Sequence, residues 1–200
     1  LKEVDFRNTS YLIVHPRGTL MFDSGGIPDS QFKDGQPATE GIMSATKPLL
    51  PQLKASGYTP ADITYFAMSH YHSDHTANAN AFAGSTWIVQ KAERDFMFSE
   101  KPQGIIQPAT YGALKTAKTK VLDNEDFDVF GDGAVVIKSA PGHTPGHQVL
   151  FVRMKNTGTV ALTGDLYHYP EEVGRKEVAP AQGDQAIELI GAHTCFIVKG

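Results

Sequence analysis

Residues 69–75 read Ser69-His70-Tyr71-His72-Ser73-Asp74-His75, so that three of the chain's 8 histidines fall within six positions. The spacing His-x-His-x-Asp-His combines imidazole nitrogens with a carboxylate, the donors that hold borderline-soft divalent metals such as Zn²⁺. Where a segment leaves a strand in extended form, alternate side chains point the same way, and His70 and His72 can then reach one ion. Asp74 and His75 come where the next helix is expected to begin, which turns them toward a second point nearby. Two metals roughly 3.5–4 Å apart is the separation at which two-metal hydrolases share one bridging water. The competing reading is a chance cluster of surface histidines. Such a four-residue spacing arises by chance in roughly one chain of this length per thousand, so the metal reading prevails.

Two further blocks share the same setting. Residues 63–68 form an apolar run of strand length that ends immediately before Ser69 and His70. Pro141-Gly142-His143-Thr144-Pro145-Gly146-His147 follows a predicted strand at 135–139, and its two Pro-Gly turns fix His143 on a tight loop. Leu162-Thr163-Gly164-Asp165 places a carboxylate after another apolar strand, 159–162. Alone, a Gly-Asp after a strand is usually a turn. Together, all three blocks lie just beyond apolar strands, as donors converging on one sheet edge would.

Working outward, 11–15 and 19–22 read as a hairpin split by Pro16-Arg17-Gly18, and 23–29 as a turn-rich loop. Apolar positions recur at helical spacing over 41–56 (Ile42, Ala45, Leu49, Leu53), with Pro48 and Pro51 expected to kink or delay the helix. A short helix is expected at 77–82, a buried strand at 86–89 and two helices over 91–118. Strands are expected at 119–122, 126–130, 135–139, 148–153 and 159–162. The pattern predicts two stacked sheets with helices outside, in one domain over residues 1–200.

The chain's 200 residues carry 18 basic and 22 acidic side chains, a formal net charge of −4. That sign argues against a chain built to coat nucleic acid or an anionic membrane, and the short apolar runs cannot span a bilayer. The single cysteine, Cys195, excludes an internal disulfide and any cysteine-rich zinc site. A small-molecule substrate is the expected partner, and a homo-oligomer is compatible with the composition. The compartment stays open, since a lone cysteine suits the bacterial cytoplasm, the periplasm and the medium alike.

These residues resemble the metallo-β-lactamase superfamily. The His-x-His-x-Asp-His, Gly-His-Thr-Pro-Gly-His and Thr-Gly-Asp blocks occur in the order and at about the spacing of that superfamily. Residues 8–25, NTSYLIVHPRGTLMFDSG, are similar to its first hairpin. The resemblance implies an αββα sandwich with two divalent metal ions, zinc by default, at the shared edge of the sheets. By the same resemblance His70, His72 and His143 would hold the first metal, Asp74 and His75 the second, and Asp165 would bridge them. His147 would be a supporting histidine past the ligand loop. A final histidine is expected on the second metal. Of the histidines beyond Asp165, His168 is three residues on and too close, which leaves His193, within a tail (173–200) unlike the family's usual one, as the candidate for that ligand.

The implied reaction is hydrolysis by a metal-bridging hydroxide, with Asp74 orienting groups or receiving a proton. In tone, including Gly164-Asp165-Leu166-Tyr167-His168-Tyr169-Pro170, the chain is most similar to N-acyl homoserine lactone lactonases. That likeness makes Tyr167 and His168 candidate substrate contacts. Asp-Leu-x-His is also similar to methyl parathion hydrolases, which keeps phosphotriester hydrolysis as the rival, with β-lactam and thioester hydrolysis behind it. If the tail does not complete the second site, a non-catalytic metal-binding member is the alternative. Phe96, Met97, Phe98, Ile105 and Ile106 form an apolar set that either lines an acyl pocket or belongs to the core.

Overall fold

The structure, a computed structural model, describes residues 8–33, 36–41 and 43–167. The opening hairpin forms as its turn residues predict: β1 (Tyr11–His15) pairs antiparallel with β2 (Gly18–Phe22). Residues 41–56, expected to carry one helix, divide instead. A two-stranded ribbon of β3 (Ala38–Glu40) and β4 (Met43–Ala45) precedes α1 (Leu49–Ala55), so Ala45 belongs to a strand. The reason is Pro48, which disfavours helical backbone before it and stands as the cap. Pro51 falls within the first turn, where its missing N–H costs nothing. The Asp29 carboxylate accepts the free N–H groups of Leu49 and Leu50, each at 2.7 Å, and so fixes where the helix begins.

From β5 (Tyr65–Ala67) the chain passes through α2 (Ser73–Thr76) and a 3-10 turn, Ala79–Phe82, to β6 (Thr86–Gln90). The 91–118 segment holds α3 (Lys91–Met97), α4 (Pro108–Tyr111) and a 3-10 turn, Gly112–Thr116, before β7 (Thr119–Leu122). The remaining strands are β8 (Phe127–Asp128), shorter than expected, β9 (Val135–Ser139), β10 (Gln148–Met154) and β11 (Gly158–Leu162). They form two sheets. The first runs β1-β2-β5-β6-β7, parallel from β2 onward; the second runs β11-β10-β9-β8 and is antiparallel.

Period-2 alternation decides which layer each side chain joins. Leu20, Phe22, Ala67 and Ile88 face the second sheet and pack with Ile137, Leu150, Val160 and Leu162. Their neighbours Met21, Phe66, Trp87 and Val89 face the other way, onto Leu53, Phe82, Met97, Tyr111 and Leu114 of the helices and turns. The described residues thus supply one helical layer and both sheets of the αββα arrangement. No helix among them is long and apolar enough to cross a membrane.

Candidate metal centre

Strand direction explains why distant blocks meet. β5 runs parallel to β2, so both leave the first sheet at one edge, where Asp23 and His70 follow them. β9 and β11 are each antiparallel to β10 and therefore run alike, delivering His143 and Asp165 to a common edge of the second sheet. The two edges are stitched together by Gln148, whose backbone N–H donates to Ser69 O (2.9 Å) and whose side-chain amide Nε2 donates to Met68 O (2.8 Å).

At this edge three imidazole nitrogens face one another. His70 Nε2 lies 3.0 Å from His72 Nδ1, and His143 Nε2 lies 3.1 Å from the first and 3.0 Å from the second. A nitrogen pair is satisfied by one N–H and one lone pair, so protons shared among the three cannot satisfy every pair in such a triangle. Nor is protonation favoured. Burial pushes His70, fully inaccessible, well below its ordinary pKa, and burial with the neighbouring His143 lowers His72 to about 4. His70 and His72 thus stay neutral, and the spacing of the three nitrogens is close to the roughly 3.3 Å edge of a zinc tetrahedron with ~2.0–2.1 Å bonds. Asp165 completes the group: its Oδ2 is 3.8 Å from His70 Nε2 and 3.5 Å from His143 Nε2.

The other oxygen of Asp165 turns to a second group. Oδ1 lies 3.1 Å from His75 Nε2, which is also 3.4 Å from Asp74 Oδ2. Asp23 Oδ2 sits 3.1 Å from His75 Nδ1, on the far side of that ring. Burial lowers the His75 pKa, but Asp23, Asp165 and Asp74 outweigh it and hold the imidazole well above its ordinary value. A buried spot where three carboxylates stabilise positive charge suits a cation as well as a proton. The donor set of both groups, imidazole nitrogen with carboxylate oxygen, therefore fits two divalent ions. Burial raises the Asp74 carboxyl, while its contact with His75 is stronger in sum and keeps it below the usual range.

The supporting groups are legible in the hydrogen bonds. Asp23, buried in left-handed backbone (φ 60°), accepts from Ser69 N (2.6 Å), and Ser69 Oγ lies 3.0 Å from His70 Nδ1. The second ring nitrogen of His70 is thereby left for the centre. Gly164 precedes Asp165 with φ +51°, and a Cβ there would stand 2.5 Å from Ser69 Cβ; only glycine admits Asp165 at this distance. The sequence reading passed over Asp23 as a turn residue. The signal was its place at the end of a buried strand, the same setting as the other three blocks.

His147 is wholly buried against the His70 ring (centroids 5.2 Å apart), and neither ring nitrogen has a hydrogen-bond partner among the described residues. Burial, then His143, lowers its pKa to about 3. The unfolded chain takes up its proton near pH 6.5, the folded chain only near 3. The stability held above pH 6.5 is thus lost as pH falls through that window, about 2 kcal/mol by pH 5. In chelator-treated protein, H147L removes this component. The stability difference between wild type and H147L, followed by urea unfolding, is expected to shift by that amount between pH 7.5 and 5. A constant difference would show that His147 is not held neutral.

Tyr167, half-buried, directly follows the 3-10 turn Gly164–Leu166 that carries Asp165. His168 and His193 lie outside the described residues. The apolar set of the insertion separates. Met97 is core, Phe96, Phe98 and Ile106 pack against it, and Ile105 is 66% exposed, its carbonyl accepting from Ser73 N at 2.9 Å.

The profile of the metallo-beta-lactamase superfamily matches residues 4–186. The chain belongs to the metallo-beta-lactamase superfamily. Its similarity to N-acyl homoserine lactonase AttM of Rhizobium radiobacter is 34% identity over 177 residues, 81% of this chain and 67% of that one. N-acyl homoserine lactonase AiiA of Bacillus thuringiensis subsp. kurstaki is 29% identical over 193 residues, 90% of this chain and 71% of its own length. Among solved structures, a quorum-quenching N-acyl homoserine lactone lactonase superposes with a TM-score of 0.67 at 28% identity, covering 82% of this chain and 63% of that chain. An N-acyl homoserine lactone hydrolase with the product N-hexanoyl-L-homoserine bound at its catalytic metal center also gives 0.67, at 26% identity, covering 82% and 66%. The chain thus spans about two thirds of the length of these relatives. Two packed sheets edged by histidines and aspartates are the metallo-beta-lactamase fold.

Proposed function

We propose that this metallo-beta-lactamase-superfamily chain is a hydrolase with two divalent metal ions, zinc by default, that opens the lactone ring of N-acyl homoserine lactones. The observation that carries the reading is Asp165, which turns one oxygen to the His70–His72–His143 group and the other to His75. The names of relatives at 29–34% identity support the substrate class. The reading treats residues 1–200 as one unit, in keeping with the match over 4–186.

His70, His72 and His143 would hold one cation, Asp74 and His75 the other, and Asp165 both. His193 is kept as the proposed last ligand of the second. When bound, the cations supply a nucleophile from water near neutral pH and polarise the lactone carbonyl. Asp74 is the carboxylate placed to handle protons. Its side chain is about one-third exposed, it is ionised at neutral pH, and Asn8 Nδ2 donates to its Oδ2 at 3.3 Å. It can accept a proton from the attacking water and return it to the ring oxygen that leaves, so that acid and base work fall to one group. Tyr167, and His168 beside it, are the proposed substrate contacts.

The test is metal content per chain on protein purified without chelator, with lactone and phosphotriester hydrolysis measured on the same sample. We expect about two metals per chain and chelator-sensitive lactone opening faster than phosphotriester hydrolysis. Faster phosphotriester hydrolysis would replace the substrate assignment. One metal or none, with both assays silent, would remove the enzyme claim and leave the fold.

A further inference from the structure

Glu93 is a carboxylate buried on α3 that the proposed mechanism does not use, and no salt bridge to it is found among the described residues. Its hydrogen bonds run to both ligand-bearing segments. Oε1 accepts from Tyr71 N (2.7 Å), the residue between His70 and His72, and from Thr144 Oγ1 (2.9 Å), the residue after His143. Oε2 accepts from Thr144 Oγ1 (2.8 Å) and from Gly146 N (2.8 Å). The first segment comes from the edge of one sheet and the second from the edge of the other, and Glu93 joins them. The neighbouring contacts follow the same plan. Tyr71 stacks on Phe96 of the same helix (centroids 4.6 Å apart). Gly146 approaches so closely that a Cβ there would lie 2.5 Å from Glu93 N.

We propose that Glu93 is a positioning residue that sets the distance between the His70–His72 segment and the His143 loop, and so the affinity of the metal centre. The inference rests on the hydrolase reading above. Burial drives this carboxyl up to about 7, while its hydrogen bonds from Thr144, Gly146 and Tyr71 favour the ionised form. What the carboxylate provides is acceptance on both oxygens at once. An amide in its place turns an N–H₂ toward either Tyr71 N–H or Gly146 N–H, so that donor meets donor and one segment is released.

The test compares wild type with E93Q, which keeps the size of the side chain. Metal affinity is read by titrating zinc into the metal-free protein against a chromophoric chelator, and ligand geometry by the visible absorption of the cobalt(II)-loaded protein. E93Q is expected to bind the tighter metal ten- to a hundredfold more weakly, with an altered cobalt spectrum and an unchanged far-ultraviolet circular dichroism spectrum. Affinity within threefold of wild type with the same cobalt spectrum overturns the proposal, whatever happens to the melting temperature. Should E93Q not fold, T144V and T144S decide. The valine is expected to lose several-fold in affinity and the serine, which keeps the hydroxyl, to restore it. Equal affinities in both overturn the proposal. A wild-type chain that takes up no metal overturns the hydrolase reading itself. Two metals in wild type and an unchanged E93Q overturn the role of Glu93 alone.

Discussion

D165A is expected to lower kcat/KM for lactone opening by about a thousandfold or more, equivalent to about 4 kcal/mol of transition-state stabilisation. Among the described residues Asp165 is the one side chain whose oxygens face both donor groups, at 3.1 Å from His75 Nε2 and at 3.5 and 3.8 Å from His143 and His70 Nε2. Its removal takes a ligand from each proposed metal and one of the three carboxylates around His75. D165N separates the two losses, since it keeps the shape and the Oδ1 contact while removing the charge. The variants should rank wild type, D165N, D165A in metal content by atomic spectroscopy and in activity alike. A D165A protein that keeps two metals and activity within tenfold would remove Asp165 from the centre.

Chelation is expected to lower thermal stability by a comparable amount. A ligand bound only by the folded state stabilises it by RT ln(1 + [L]/Kd), about 4 kcal/mol when the free metal exceeds Kd a thousandfold. For a chain of this size that corresponds to roughly 8–16 °C in Tm. The structural ground is the crowding of imidazoles and carboxylates in one place. The nitrogens of His70, His72 and His143 face one another at 3.0–3.1 Å, and among the described residues only the proton on His75 offsets the carboxylates around it. Calorimetry of metal-loaded, chelated and re-loaded samples checks this. Coincident melting curves would mean that the cluster holds no structural metal.

The six residues His70, His72, Asp74, His75, His143 and Asp165 were readable because each follows an apolar strand and carries an unusual donor type. Strand directions then bring them to one edge, which spacing alone does not reveal. Asp23 escaped because Asp-Ser-Gly after a strand is ordinary turn chemistry. Its role becomes visible only when β2 and β5 lie side by side and Ser69 falls within reach. Glu93 escaped for the opposite reason: on α3 it reads as a solvated helix residue, and its burial follows from two loops that close over it. The 41–56 helix was misplaced at its start because periodicity does not say where a helix is capped. The Asp29 carboxylate, twenty residues away from Leu49, does.

Because the two sheet edges meet only through strands scattered from β2 to β11, the donors are brought together from Asp23 to Asp165, across most of the chain. Contacts of such long sequence separation form late, after the costs of closing the intervening loops have been met. The centre is then a property of the finished fold rather than a seed for it. A cation arriving there acts on the lifetime of the native state, retarding escape from it, and has little hold on the rate at which the chain first finds its shape.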